Sequence, residues 1–149
     1  MAIYRQILCA LDFSPYADHA FRAALDLARE EKAGLTLLHV YVPGTPLLPG
    51  EKPAKAKKLS DQDLAANLRS YIEDNYLAKA QGVPCQVVLR RGHPSVEILA
   101  HLDDQPADLV VLGSQGFSGM GLVLLGSVAE RVARKAGCDC LLVRPEAGA

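Results

Sequence analysis

The residues most able to do chemistry lie in positions 113–127, GSQGFSGMGLVLLGS. A wholly apolar run, Leu109-Val110-Val111-Leu112, comes before them, and a helical pattern over residues 128–136 follows. A glycine-rich connection from a buried strand to a helix start presents backbone amides that can hold phosphate. Glycine also lets a ligand approach the main chain closely. Ser127 can cap the helix or turn its hydroxyl to an anion. No lysine or arginine stands between residues 113 and 130. An anion here would rest on amides, on the hydroxyls of Ser114, Ser118 and Ser127, and on the helix dipole, worth about 0.3–2 kcal/mol. Several phosphate charges would therefore call for a divalent ion, which usually bridges phosphates to one or two carboxylates. Asp12 is the acid placed for that role. Hydrogen bonding to a ribose or base, and capping of the following helix, are the alternative roles for its carboxylate.

The elements around this loop can be read from hydrophobic pattern. Residues 3–11 are apolar without alternation, the mark of a strand buried on both faces. Ser14-Pro15 reads as a helix cap plus a first-turn proline. Ala17, Ala20, Phe21, Ala24, Leu25 and Ala28 then recur at helical spacing to about residue 32, with Gly34 as the stop. A second buried strand follows over residues 35–41. Residues 42–58 carry Pro43, Pro46, Pro49, Pro53 and four lysines, which predicts a flexible loop or lid whose charge run is a solvated surface, with reach to a phosphate tail as the alternative. Ser60 caps a second helix whose stripe is Leu64, Leu68, Tyr71 and Ile72. A third strand is expected over residues 85–89, and Arg90-Arg91-Gly92-His93-Pro94 is expected to turn the chain into a helix over residues 95–102. The inward face of that helix is expected at Val96, Leu99 and Ala100. The fourth strand, the glycine loop, its helix, a fifth strand over residues 140–143 and a tail over residues 145–149 complete the chain. Strands alternating with helices predict an α/β fold, a five-stranded parallel sheet flanked by helices on both faces. In such sheets ligands bind beyond the carboxyl ends of the strands, where strand order reverses.

The spacing Gly113-x-x-Gly116, nine residues, then Gly126-Ser127 resembles the nucleotide-binding pattern of the universal stress protein family. The likeness covers nearly the whole chain, through ILCALDFS, LTLLHVY, RRGHPSVEILAHLDDQPADLVVLGSQG and CLLVRP. It implies the sheet order 3-2-1-4-5, which sets Asp12 across a crevice from Gly113. It further implies that a base rests near Ala10 and Asp12 and pairs with the backbone at Val40. Ribose and phosphates would meet Gly113, Ser114, Gly116, Gly126, Ser127 and Val128, with Mg²⁺ held through Asp12. Two local departures stand out. Family members often carry a basic residue or histidine where Gln115 or Met120-Gly121 stand, and a proline where Asp139 stands; the last strand commonly pairs two subunits.

Bulk properties narrow the classes. A chain of 149 residues fits one domain over residues 1–149, and half its residues are apolar with 22% charged. A net charge of -1 lacks the basic footprint of nucleic-acid binding. No apolar run nears the roughly 20 residues of a membrane helix, and the opening segment is broken by Asp12, so a cytoplasmic protein without a signal peptide is expected. Cys9, Cys85, Cys138 and Cys140 fit free, packed thiols. Neither a Gly-Lys-Ser/Thr phosphate loop nor a dinucleotide glycine pattern after strand one is present. His39 reads as packed within a strand, His19 and His101 as exposed on helices, and His93 as a turn residue, leaving no base for attacking water. The expectation is a homodimeric, ATP-binding stress-response sensor or switch. A slow ATPase or self-phosphorylating protein using the same site, and a nucleotide-free dimeric interaction module, are the rival readings.

Overall fold

The computed structural model describes residues 2–42, 48, 60–116 and 125–145. Most of the lysine-rich loop, Ser118, Met120, Gly121 and the tail beyond Pro145 lie outside the described residues. Along the chain run β1 (Gln6–Ala10), α1 (Pro15–Glu31), β2 (Gly34–Tyr41), α2 (Asp61–Asn75), a 3-10 turn (Leu77–Lys79), β3 (Cys85–Arg91), α3 (Pro94–Asp104), β4 (Leu109–Gly113), α4 (Ser127–Lys135) and β5 (Asp139–Val143). The strands form a five-stranded sheet of order β3-β2-β1-β4-β5, parallel throughout. The expected architecture is the observed one.

Alternate strand residues supply two cores, one on each side of the sheet. Ile7, Cys9, Leu35, Leu37 and Val111 pack with the apolar stripes of α1 and α2. Leu8, Leu38, Val110 and Leu112 pack with Ile98 and Leu102 of α3 and Ala129 and Val132 of α4. Burial on both faces is why the strands read as unbroken apolar runs. The order places β1 between β2 and β4, so successive connections leave β1 in opposite directions and open a crevice at its carboxyl end.

Helix ends follow local chemistry. Ser14 caps α1 by accepting from Ala17 N at 3.2 Å, with Pro15 in the first turn, and Ser60 caps α2 in the same way through Asp63 N. Several expected boundaries move. Lys32, left-handed at φ 55°, ends α1, and Gly34 is already the first residue of β2. A Cβ there would lie 2.8 Å from Gln6 Oε1, the end of an exposed side chain that can move aside. β1 starts at Gln6, and Ile3 lies outside the sheet at 76% exposure. β3 extends to Arg91 because Arg90 and Arg91 continue the register against Val40 and Tyr41.

The largest correction concerns α3. Its buried residues are Ser95, Ile98, His101 and Leu102, whereas Val96 is 43% exposed. Positions 95, 98 and 102 follow helical spacing, and this face includes a serine and a histidine that an apolar reading passes over. His101, expected on the surface, is therefore buried. No helix among the described residues is long and apolar enough to cross a membrane.

Candidate functional site

The turn from β1 into α1 shapes one wall. Leu11 N donates to Leu38 O at 2.8 Å, prolonging the sheet by one residue. Asp12 Oδ1 then accepts from Ser14 N at 2.9 Å and from Ser14 Oγ at 2.5 Å. Ser14, in turn, is the helix cap. Asp12 thus anchors the cap and does not occupy the cap position itself, which decides one of the roles open at the sequence level. Its other oxygen, Oδ2, is turned toward Gly116, where an added Cβ would lie only 2.6 Å away.

The glycine motif forms the opposite wall. Gly126 N donates to Ser114 O at 2.7 Å, joining the two halves of the motif. A side chain at either end of the motif would crowd its neighbours, most severely at Gly113. A Cβ on Gly113 would lie 2.7 Å from Tyr16 Cβ, and one on Gly126 would lie 3.1 Å from Gln115 Cα. Neither of them, nor Gly116, has the positive φ that would make glycine a conformational need. Gly126 is the N-cap of α4, at φ -71° and ψ 155°, and Ser127 is the first helical residue. Capping by Ser127 is therefore corrected: its hydroxyl is exposed and makes no cap bond.

Between these walls is a cavity of about 460 Å³. Of the expected site residues, Ala10, Asp12, Val40, Gly113, Gly116, Gly126, Ser127 and Val128 line it together. Ser114 does not. It is 3% exposed, with its amide donating to Val143 O at 2.9 Å. The cavity also takes in residues the sequence reading missed, notably Leu38, Leu112, Gln115, Pro94 and Ile98. Leu38 precedes Val40 by one strand period and shares its face. Ile98 was hidden by the wrong face assignment for α3; spacing from Ser95 and Leu102 would have found it.

Charge around the cavity is sparse. Among the described residues lining it, Asp12 is the only one with a formal charge. Arg90 is engaged by Glu97 at 3.0 Å and Asp104 at 3.4 Å, and Arg91 by Asp61 at 2.6 Å. First-turn residues of α1, α3 and α4 all reach the recess, through Ala17, Pro94 and residues 127–129. Positive helix ends therefore converge on a mostly apolar hollow. Such a place suits a flat apolar group carrying an anionic tail.

The histidines and cysteines lie apart from this recess. His39 Nδ1 is 2.7 Å from Leu11 O, and burial lowers its pKa. Burial, then the Arg90 charge, lowers that of His101. His93 Nδ1 lies 3.1 Å from Ser95 Oγ, before the first turn of α3. All four cysteines are free. Burial raises the Cys9 thiol and pushes Cys85 and Cys140 up to about 11, so these sulfurs stay protonated and unreactive near neutrality. No group of three His, Cys, Asp or Glu able to hold a metal occurs among the described residues.

A sequence model of the universal stress protein family matches residues 3–144. The chain belongs to the universal stress protein family. Universal stress protein YxiE of Bacillus subtilis is 30% identical over 148 residues, covering 95% of this chain and all (100%) of the relative. Among solved structures, universal stress protein UspA from Lactobacillus plantarum superposes with a TM-score of 0.77 at 27% identity, over 97% of this chain and 100% of the other. A universal stress protein crystallised in complex with cAMP matches with a TM-score of 0.64 at 26% identity, over 94% and 96% of the two chains. The family assignment and the strand order agree with the resemblance carried by the glycine motif.

Proposed function

We propose that this universal stress protein binds an adenine nucleotide, ATP with Mg²⁺, in the cavity beyond β1 and β4, and acts as a nucleotide-dependent sensor or switch. One observation carries the reading: Asp12 and the motif glycines Gly113, Gly116 and Gly126 line a single recess where the strand order reverses. Adenine fits the apolar inner wall of Ala10, Leu38, Val40 and Ile98, and the phosphates fit the amides at the start of α4. The solved relative holding cAMP supports an adenine ligand.

The residues present also fit a magnesium ion. Among the described lining residues Asp12 is the one carboxylate, and Mg²⁺ bound with nucleotides takes one or two protein carboxylates together with phosphate oxygens. Bound there, the ion would neutralise phosphate charge that no lysine or arginine of the described lining can meet. With no histidine or second carboxylate in that lining, any hydrolysis is slow. Pairing of two copies through β5 is part of the same proposal, supported by the half-buried Cys140, Leu141, Leu142 and Val143 on this sheet edge.

Extraction of small molecules from the purified protein, followed by titration calorimetry with ATP and Mg²⁺, tests the reading. A bound adenine compound, or a saturable heat, is expected. A folded protein that neither carries nor captures any adenine nucleotide overturns it.

A further inference from the structure

We infer that His39 is the positioning residue for the Asp12 carboxylate, gripping the chain on both sides of it; the inference rests on the nucleotide reading of the cavity. Phe13, directly after Asp12, is left-handed at φ 67°. Bulky residues rarely take that conformation, and it persists only where the surroundings enforce it. Here the Phe13 ring is held in the core by His39, Tyr71 and Tyr76, and His39 is the nearest of the three. The Phe13 ring stacks on the His39 ring at 4.2 Å between centroids and 19° between planes, with Tyr71 edge-on at 4.9 Å. On the other side of Asp12, the Leu11 carbonyl meets His39 Nδ1 at 2.7 Å. A carbonyl only accepts, so Nδ1 carries the proton.

One imidazole therefore holds Leu11 by a hydrogen bond and Phe13 by a stack. Asp12, between them, keeps Oδ1 on Ser14 and Oδ2 toward Gly116. His39 is buried and does not itself line the cavity. It can act on a ligand only through the residues it holds in the lining, Leu11 and, between Leu11 and Phe13, the charged Asp12. The position asks for a flat ring and an N–H together: phenylalanine supplies the ring alone, and asparagine the N–H alone.

The test is a double-mutant cycle on the full chain, read by titration calorimetry with ATP and Mg²⁺, with thermal unfolding to establish the fold. His39→Phe should weaken binding roughly tenfold, a common size of coupling within one hydrogen-bonded network. His39→Asn, which returns an N–H to the Leu11 carbonyl, should recover part of that loss. In an Asp12→Ala background, His39→Phe should cost nothing further. Amide exchange at Ser14, whose N–H donates to Asp12, should accelerate in His39→Phe. Unchanged affinity in His39→Phe, or the same loss with and without Asp12, overturns the positioning role while leaving the nucleotide reading intact. If His39→Phe does not fold, His39→Asn takes its place in the cycle under the same criteria. A wild-type chain that binds no adenine nucleotide overturns the reading and, with it, this role.

Discussion

A methyl group built on Gly116 would sit 2.6 Å from Oδ2 of Asp12, so the backbone of one and the carboxylate of the other face each other across the recess. That contact makes Gly116→Val a direct probe of the site. Asp12 is exposed, so Oδ2 can turn away while Oδ1 keeps its bonds to Ser14, and the fold should survive. The valine would then fill the space between the two walls. Affinity for ATP with Mg²⁺ should fall by at least about tenfold, or roughly 1.4 kcal/mol, with a thermal midpoint close to wild type. Unchanged affinity by calorimetry would show that the recess is not where nucleotide binds.

Gly113 should behave in the opposite way. A Cβ there would lie 2.7 Å from Tyr16 Cβ and 2.9 Å from the Tyr16 carbonyl carbon, against the first turn of α1. Backbone cannot swing aside as a carboxylate does. Gly113→Ala is expected to cost about 1–3 kcal/mol as overpacking, and a domain of this size loses roughly 2–4 °C of thermal midpoint per kcal/mol. Calorimetric melting that shows no decrease would remove the close-packing role given to this glycine.

Asp12→Ala separates the metal from the other uses of the carboxylate. If Asp12 helps hold Mg²⁺ with the phosphates, the substitution should weaken ATP binding more in magnesium than in EDTA. The excess should be on the order of tenfold, as expected for a charged partner lost from a bound group. An equal loss in both conditions would leave Asp12 as a hydrogen-bond acceptor for ribose or base. Because Asp12 also anchors Ser14, a lower thermal midpoint should accompany the change in either case.

The sheet was legible because strands buried on both faces leave unbroken apolar runs, as at Leu109-Val110-Val111-Leu112. The caps at Ser14 and Ser60 were legible because serine chemistry there is local. Strand order was not: the reversal beside β1 came from the resemblance carried by the glycine motif. The face of α3 misled because Ser95 and His101 are buried polar residues and Val96 is an exposed apolar one. The wall formed by Pro94 and Ile98 was lost with it. Glycine could be placed at Gly113 and Gly126, but the reason for it could not. Packing against Tyr16 excludes a side chain at Gly113, and Gln115 crowds one at Gly126; both are contacts the local sequence does not show.

The buried histidines contribute to the pH response of the fold near neutrality. Burial lowers the pKa of His39, and burial with the Arg90 charge lowers that of His101, both from the ordinary 6.5. The unfolded chain therefore binds more protons than the folded one just below that value, and stability rises with pH there. Their contribution is complete above 6.5 and is lost as pH falls through it toward the depressed folded values. Asp108 acts in a lower window. Its carboxylate accepts from Gln6 N at 2.9 Å and Arg5 N at 2.8 Å, which holds its pKa below 3.8, so its contribution is lost only on further acidification. Urea unfolding from about pH 8 to about pH 5 should show a falling free energy, and His101→Gln should flatten part of that slope without touching the loss at lower pH. A wild-type curve that stays level across the histidine range would mean that these imidazoles gain their protons as easily inside the protein as outside it.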